Sequence, residues 1–105
     1  MIWLNLLLPK KQIKHQDEKF DRIYLPEDTA GAGLFFMLPK KLIRPIRGRK
    51  TLISIGYNDK FIFPLYEEKD GRSIRLKRSP LTADDVGNIF ADLHRKSIEK
   101  AAIRY

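Results

Sequence analysis

Three apolar runs in the first 40 residues each end in a Leu-Pro pair. The pairs are Leu8-Pro9, Leu25-Pro26 and Leu38-Pro39. Proline has no N–H to donate to a neighbouring strand, and it forces the residue before it into an extended conformation. Each pair therefore predicts the end of a β-strand. The predicted strands cover residues 2–8, 20–25 and 34–38, and the stretch Ala30-Gly31-Ala32-Gly33 predicts a flexible turn before the third of them.

The second half of the chain has the pattern of an antiparallel meander. Strand-like segments cover residues 51–57, 60–67 and 72–78. The first two are separated by Asn58-Asp59 and the last two by a segment containing Asp70-Gly71, which are residue pairs that favour tight hairpin turns. Pro64 within the second segment predicts a bulge or an unpaired edge.

These turns fix a register and so assign side chains to two faces of the meander. The face predicted to join the core holds Leu52, Phe61, Phe63, Leu65, Ile74 and Leu76. The opposite face holds Ile53, Ile55, Tyr57, Lys60, Ile62, Tyr66, Arg75 and Lys77. Two interpretations of this second face remain open. It is either an accessible surface of rings and cations, or it is covered by the N-terminal strands, with the tyrosines at its rim.

The C-terminal segment predicts a helix over about residues 83–101. Thr82 and Asp85 have the spacing of an N-terminal capping box, and apolar residues recur from Val86 onward with the period of a helix. The chain is therefore predicted to be a single α+β domain over residues 1–105. Its strand-rich part covers residues 1–78, with about six mainly antiparallel strands in a small barrel or an open sheet. One C-terminal helix completes it.

The first and third strand ends are followed by nearly the same sequence. Leu8-Pro9-Lys10-Lys11-Gln12-Ile13-Lys14 is repeated 30 residues later as Leu38-Pro39-Lys40-Lys41-Leu42-Ile43-Arg44. A duplicated unit would produce this echo. We favour coincidence, because a proline and lysines are a common way to finish a sheet edge and no third copy is present.

Composition narrows the function classes. The chain has no cysteine, which excludes disulfides and thiolate metal sites and favours the cytoplasm. The apolar run at residues 2–8 is too short to span a membrane. His15 and His94 lack a neighbouring nucleophile and are interpreted as ordinary surface or rim residues. Asp84, Asn88 and Asp92 share a helix face that is interpreted as solvated. We therefore expect no enzyme, no metal and no cofactor.

The net charge of +8 is concentrated in residues 40–50. That segment carries six basic residues and no acidic one: Lys40, Lys41, Arg44, Arg47, Arg49 and Lys50. Clustered cations neutralise phosphates and release counterions, which drives nucleic-acid binding that does not depend on sequence. Because Pro45 and Gly48 exclude a regular helix, the segment is predicted to be a basic loop or bent strand.

The predicted function is non-enzymatic binding of nucleic acid, DNA or single strands, through this basic loop and the adjoining sheet face. Residues on that face that would stack on bases or contact the backbone are Tyr57, Lys60, Tyr66, Arg75 and Lys77. The alternative is a protein-interaction module, an accessory or inhibitory subunit that docks on an acidic partner surface, since the same charges serve that purpose. The run at residues 2–8 is apolar on both faces, so it is either central in a sheet or pairs in a homodimer.

Overall fold

The computed structural model describes residues 1–26 and 33–102, so most of the predicted turn at 30–33 lies outside the described residues. The strands are β1 Trp3–Pro9, β2 Ile13–His15, β3 Phe20–Tyr24, β4 Leu34–Pro39, β5 Ile43–Ile46, β6 Arg49–Asn58, β7 Ile62–Phe63, β8 Tyr66–Lys69, β9 Arg72–Arg75 and β10 Leu81–Thr82. Two α-helices follow, α1 Ala83–Ile89 and α2 Ala91–Ala102, and short 3-10 helices occupy Lys10–Gln12 and Lys40–Leu42. The α+β class is confirmed, but the described residues form ten strands where about six were predicted.

The strands form two larger sheets and one small one, and every pairing is antiparallel. Sheet A has the order β1-β6-β5, and sheet B has the order β2-β3-β4-β8-β9. Strands β7 and β10 pair separately through Leu81 and Phe63. Apolar side chains from both larger sheets and from α1 share one core, in which Phe36 packs on Phe63 with ring centroids 4.7 Å apart.

The two copies of the echo adopt the same local structure. In each copy a strand ends at proline, three residues form a 3-10 helix, and the next strand begins at isoleucine. Pro9 and Pro39 have φ, ψ of −61°, 138° and −58°, 135°. We call the two 3-10 helices the first corner (Lys10–Gln12) and the second corner (Lys40–Leu42). The first takes the chain from sheet A to sheet B, and the second takes it back.

The predicted meander over residues 51–78 is wrong in its first pairing. β6 lies between β1 and β5, with Ile55 paired to Leu6 on one side and to Ile43 on the other. A strand has only two edges, so the segment at 60–67 cannot add to β6 over this length. Pro64 divides that segment into β7 and β8. The β8–β9 hairpin forms as predicted, with Lys69 paired to Arg72.

The face assignment changes with the pairing. Ile53 and Ile55 are buried in the core, as the covered-face interpretation expected, but Tyr57 is buried with them and does not lie at the rim. The strand β1 pairs beside β6 in the same sheet and does not cover its face. Ile74, predicted to be in the core, is 48% exposed because it lies on β9, the terminal strand of sheet B, whose four residues are all exposed. Leu52, Phe63 and Leu65 are buried as predicted.

The C-terminal segment contains two helices where one was predicted. The capping box is present, with the Thr82 N–H donating to Asp85 and the Asp85 N–H donating to the Thr82 hydroxyl. The regular helix is interrupted at Phe90, whose φ, ψ of −95°, 4° depart from helical values. The Phe90 ring is fully buried, so both helices keep an apolar side against the core.

Helix α2 also covers part of the outer edge of β1. The His94 Nδ1 accepts a hydrogen bond of 2.9 Å from the Leu7 N–H, which points away from β6. At Leu7, β1 therefore has no free edge for a second copy. In the part of the chain that the structure describes, no helix has the length and apolarity needed to cross a membrane.

Candidate nucleic-acid interface

The basic segment forms a corner and a hairpin rather than a loop. After the second corner, β5 runs to Ile46, the turn Arg47-Gly48 reverses the chain, and β6 begins at Arg49. Gly48 has φ 78°, a conformation that favours glycine, and a Cβ there would meet no atom within 4 Å. The cations are therefore attached to a backbone held by sheet A, and β5 is the edge strand.

Four of the six cations point into solvent. Lys41, Arg44, Arg47 and Lys50 are exposed, and no described residue forms an ion pair or side-chain hydrogen bond with them. Ile43 and Ile46 alternate with them and are half-buried, so the apolar side chains anchor the hairpin. We call Lys41, Arg44, Arg47 and Lys50 the basic hairpin.

The other two cations are engaged within the fold. The Lys40 ammonium donates to Asp21 Oδ1 at 2.5 Å and lies 3.2 Å from the His15 Nδ1. The Arg49 guanidinium donates to the Ala101 carbonyl oxygen at 3.3 Å, at the carboxyl end of α2, where the helix dipole favours a cation. These two residues position the second corner and β6.

The predicted companion residues are not brought to the basic hairpin. Tyr57 is 1% exposed and cannot stack on a base; burial also raises the pKa of its hydroxyl. Lys60 is exposed beyond the far end of β6, and Lys77 is exposed after β9. Tyr66 and Arg75 do face each other, but across β8 and β9 of sheet B. The single loop-plus-sheet surface predicted from the sequence is therefore divided between two sheets.

Sheet B carries a group of rings and cations that the sequence analysis missed. Tyr24, Phe35 and Tyr66 form a cross-strand row, with centroids 5.1 and 5.5 Å apart. The Arg22 guanidinium lies 4.5 Å from the Phe35 centroid, and the Lys14 ammonium lies 5.0 Å from that of Tyr24. The sequence pattern that could have predicted this group is the alternation of Phe20, Arg22 and Tyr24 along one strand.

This row is largely occupied by its own contacts. Phe35 is fully buried although it lies outside the main core. Glu68 accepts from both the Arg22 guanidinium, at 2.8 Å, and the Tyr24 hydroxyl, at 2.6 Å. The hydrogen bond from Tyr24 lowers the pKa of Glu68, while burial and that same contact raise the pKa of Tyr24. These contacts join the strands of sheet B to one another. Tyr66 and its partner Arg75 lie at the β8–β9 end of this row.

The charged side chains around Asp92 on α2 pair with one another. Asp92 pairs with Lys96 at 2.9 Å and with Arg95 at 2.6 Å, and the bond from Lys96 lowers the pKa of Asp92. Over residues 1–26 and 33–102, no three His, Asp or Glu side chains are grouped so as to hold a metal ion.

Comparison of the chain with protein-family models, with curated proteins and with solved structures found no match.

Proposed function

We propose that this chain binds nucleic acid through the basic hairpin. The observation that carries the proposal is the state of its four cations: each is exposed, and none has an acidic partner among the described residues. Lys41 lies in the second corner, and the other three lie on the β5–β6 hairpin that follows it. Because these cations have no partners among the described residues, they break no ion pair there when they contact phosphates. Counterion release from the nucleic acid then favours binding.

The geometry favours phosphate contacts over reading of a duplex sequence. The hairpin turn has only two residues, Arg47 and Gly48, and the four exposed cations of the basic hairpin are two lysines and two arginines. Arginine forms bidentate contacts with phosphate oxygens, and lysine acts as a point charge. The four cations lie on a 3-10 helix of three residues and on the β5–β6 hairpin and not on an α-helix, so the side-chain display of a groove-reading helix is missing from the basic hairpin.

The alternative partner is an acidic protein surface, for which the same four cations are suitable. An exposed apolar group at the start of β1 is compatible with such a role. There Ile2 and Trp3 are 62% and 54% exposed, and the Trp3 ring packs edge-on against Phe61 at 5.8 Å. Exposed apolar groups of this kind mark protein contact sites when they are large.

A charge-matched pair of variants tests the proposal. The first changes Arg44, Arg47 and Lys50 to Gln. The control changes Arg72, Arg78 and Lys69 to Gln, which removes the same residue types from exposed positions in and after the β8–β9 hairpin. Affinity for a fluorescent 12-nucleotide oligothymidylate is measured over a salt series, and polyglutamate of equal charge is a second ligand.

In a plot of log affinity against log salt concentration, we expect the slope of the hairpin variant to be less steep by about 2. Each lost single-strand phosphate contact removes about 0.7 from that slope. The control should stay within about 0.5 of the unmodified slope. Equal losses in both variants would refute the assignment to the hairpin. Absence of oligonucleotide binding at low salt, or polyglutamate binding of equal strength, would refute nucleic acid as the ligand.

A further inference from the structure

A groove of about 550 Å³ lies beside the basic hairpin and contains a cation from another part of the chain. Its lining is Lys10, Ile43, Pro45, Ile46, Gly48, Arg49, Lys50, Leu52 and Ile53. The volume is in the range of pockets that hold small molecules. The lining is apolar apart from Lys10, Arg49 and Lys50, and Arg49 is engaged with Ala101.

Lys10 lines the groove from the first corner, directly after β1. It occupies the first position of the first corner, as Lys40 does in the second. The two equivalent lysines differ in their partners. Lys40 is held by Asp21, whereas no described residue forms an ion pair or side-chain hydrogen bond with the exposed Lys10. At the first position of the two corners, only Lys10 is therefore unpaired, and it lines the groove.

We infer that the groove seats one nucleotide of a single strand, with its base against the apolar side chains and its flanking phosphates on Lys10 and Lys50. This inference rests on the proposed function. Two unpaired cations from separate segments beside an apolar surface match a nucleotide within a strand, which has a phosphate on each side. A fatty acid has only one charged group and would leave one lysine without a counter-charge.

The same geometry selects single strands over duplexes. Ile43, Pro45 and Ile46 form the apolar part of the groove surface, which offers contact to a ring, and the polar side chains of the lining are the cations Lys10, Arg49 and Lys50. A base paired within a duplex would have to be flipped out to reach this surface, which costs several kcal/mol. A base in a single strand pays only for partial unstacking. Base identity should matter little.

An abasic oligomer separates base seating from phosphate contact. The probes are a 12-nucleotide oligothymidylate and a 12-mer of abasic residues, which carries the same phosphates without bases. We expect the unmodified protein to bind oligothymidylate about tenfold more tightly than the abasic oligomer, because burial of roughly 55 Å² of a base against apolar side chains is worth about that factor. Equal affinity for the two probes would overturn the inference and leave the proposed function standing.

Two variants locate the effect. K10Q should weaken oligothymidylate binding about threefold to tenfold, whereas K11Q, which changes the next residue, outside the groove lining, should change it less than twofold. I46A should reduce the preference for oligothymidylate over the abasic oligomer to about threefold or less. I98A, at an exposed isoleucine of α2, should keep the preference.

Far-UV circular dichroism and a thermal melt verify that each variant is folded. If I46A does not fold, the comparison of K10Q with K11Q still tests the inference. Equal effects of K10Q and K11Q would refute the role of Lys10. If neither oligomer binds the unmodified protein, the proposed function itself fails, which is a distinct outcome from equal binding of both.

Discussion

Replacement of His94 by alanine should destabilise the fold through a single backbone amide. His94 Nδ1 is the acceptor for the Leu7 N–H on the outer edge of β1, where none of the described strands lies to replace it. A net hydrogen bond is worth about 0.5–1.5 kcal/mol, and a buried donor left without an acceptor costs about 1–3 kcal/mol. Leu7 is half-buried, so we expect H94A to lower the free energy of unfolding by about 1–2 kcal/mol.

The matched variant is H94N, because the asparagine Oδ1 can occupy nearly the position of the histidine Nδ1. We expect H94N to recover at least half of the loss. Urea unfolding followed by circular dichroism measures both, and a loss of this size moves the midpoint by roughly 1 M at an unchanged m-value. Hydrogen exchange gives a local check, since the Leu7 amide should lose protection in H94A and retain it in H94N.

Equal losses in H94A and H94N would show that packing of the ring, and not the hydrogen bond, stabilises the contact. A Leu7 amide that exchanges equally fast in all three proteins would refute the bond between α2 and β1.

Three further predictions concern stability. G33A should lower the free energy of unfolding by more than about 1 kcal/mol, because Gly33 has φ 94° and a Cβ there would lie 3.0 Å from the Glu68 carbonyl oxygen. The control is G87A, at a helical position where the nearest contact of a Cβ would be at 3.8 Å. In thermal melts G87A should be neutral or stabilising by up to about 1 kcal/mol. T82A should cost about 1 kcal/mol in urea unfolding by removing half of the capping box, and an unchanged midpoint would contradict the role of the cap. The pKa of Glu68 is lowered in the folded state, so its carboxylate adds stability that is fully present above its usual pKa near 4.5 and is lost as the pH falls through the lowered pKa. E68Q should therefore lose less stability than the unmodified protein on acidification through that range. Identical pH profiles of stability for the two proteins would contradict the Tyr24–Glu68 bond.

Local signals in the sequence predicted local structure well. Proline ended β1 and β4, and Asp70-Gly71 set the register of β8 on β9, with both residues at positive φ. The Thr82–Asp85 pair capped α1. Each of these features depends on residues within a few positions of one another, which is why sequence spacing was sufficient.

Pairings between distant segments were not predictable in the same way. The partners of β6 are β1 and β5. The residues Asn58-Asp59 favour a hairpin, but the next segment cannot pair with β6 because both edges of β6 are already paired. The burial of Tyr57 follows from that pairing. The break at Phe90 could not be predicted because it satisfies core packing and leaves no proline or glycine signal at that residue.

The candidate surface was predicted in part. The concentration of charge identified the segment that forms the basic hairpin, but not which cations the fold uses itself. Asp21 engages Lys40 and the end of α2 engages Arg49, and neither contact is visible in spacing. Lys10 was missed because it is 30 residues from the equivalent Lys40 and reaches the groove only after the first corner turns the chain.

The most direct test of the basic hairpin is a titration of the ¹⁵N-labelled protein with a 12-nucleotide oligothymidylate, followed by amide chemical shifts. We predict that the largest changes fall on residues 41–50 and on Lys10, with small changes over β8 and β9. Changes that are largest over β8 and β9, or an unperturbed hairpin at saturating oligonucleotide, would contradict the central claim that the basic hairpin is the binding surface.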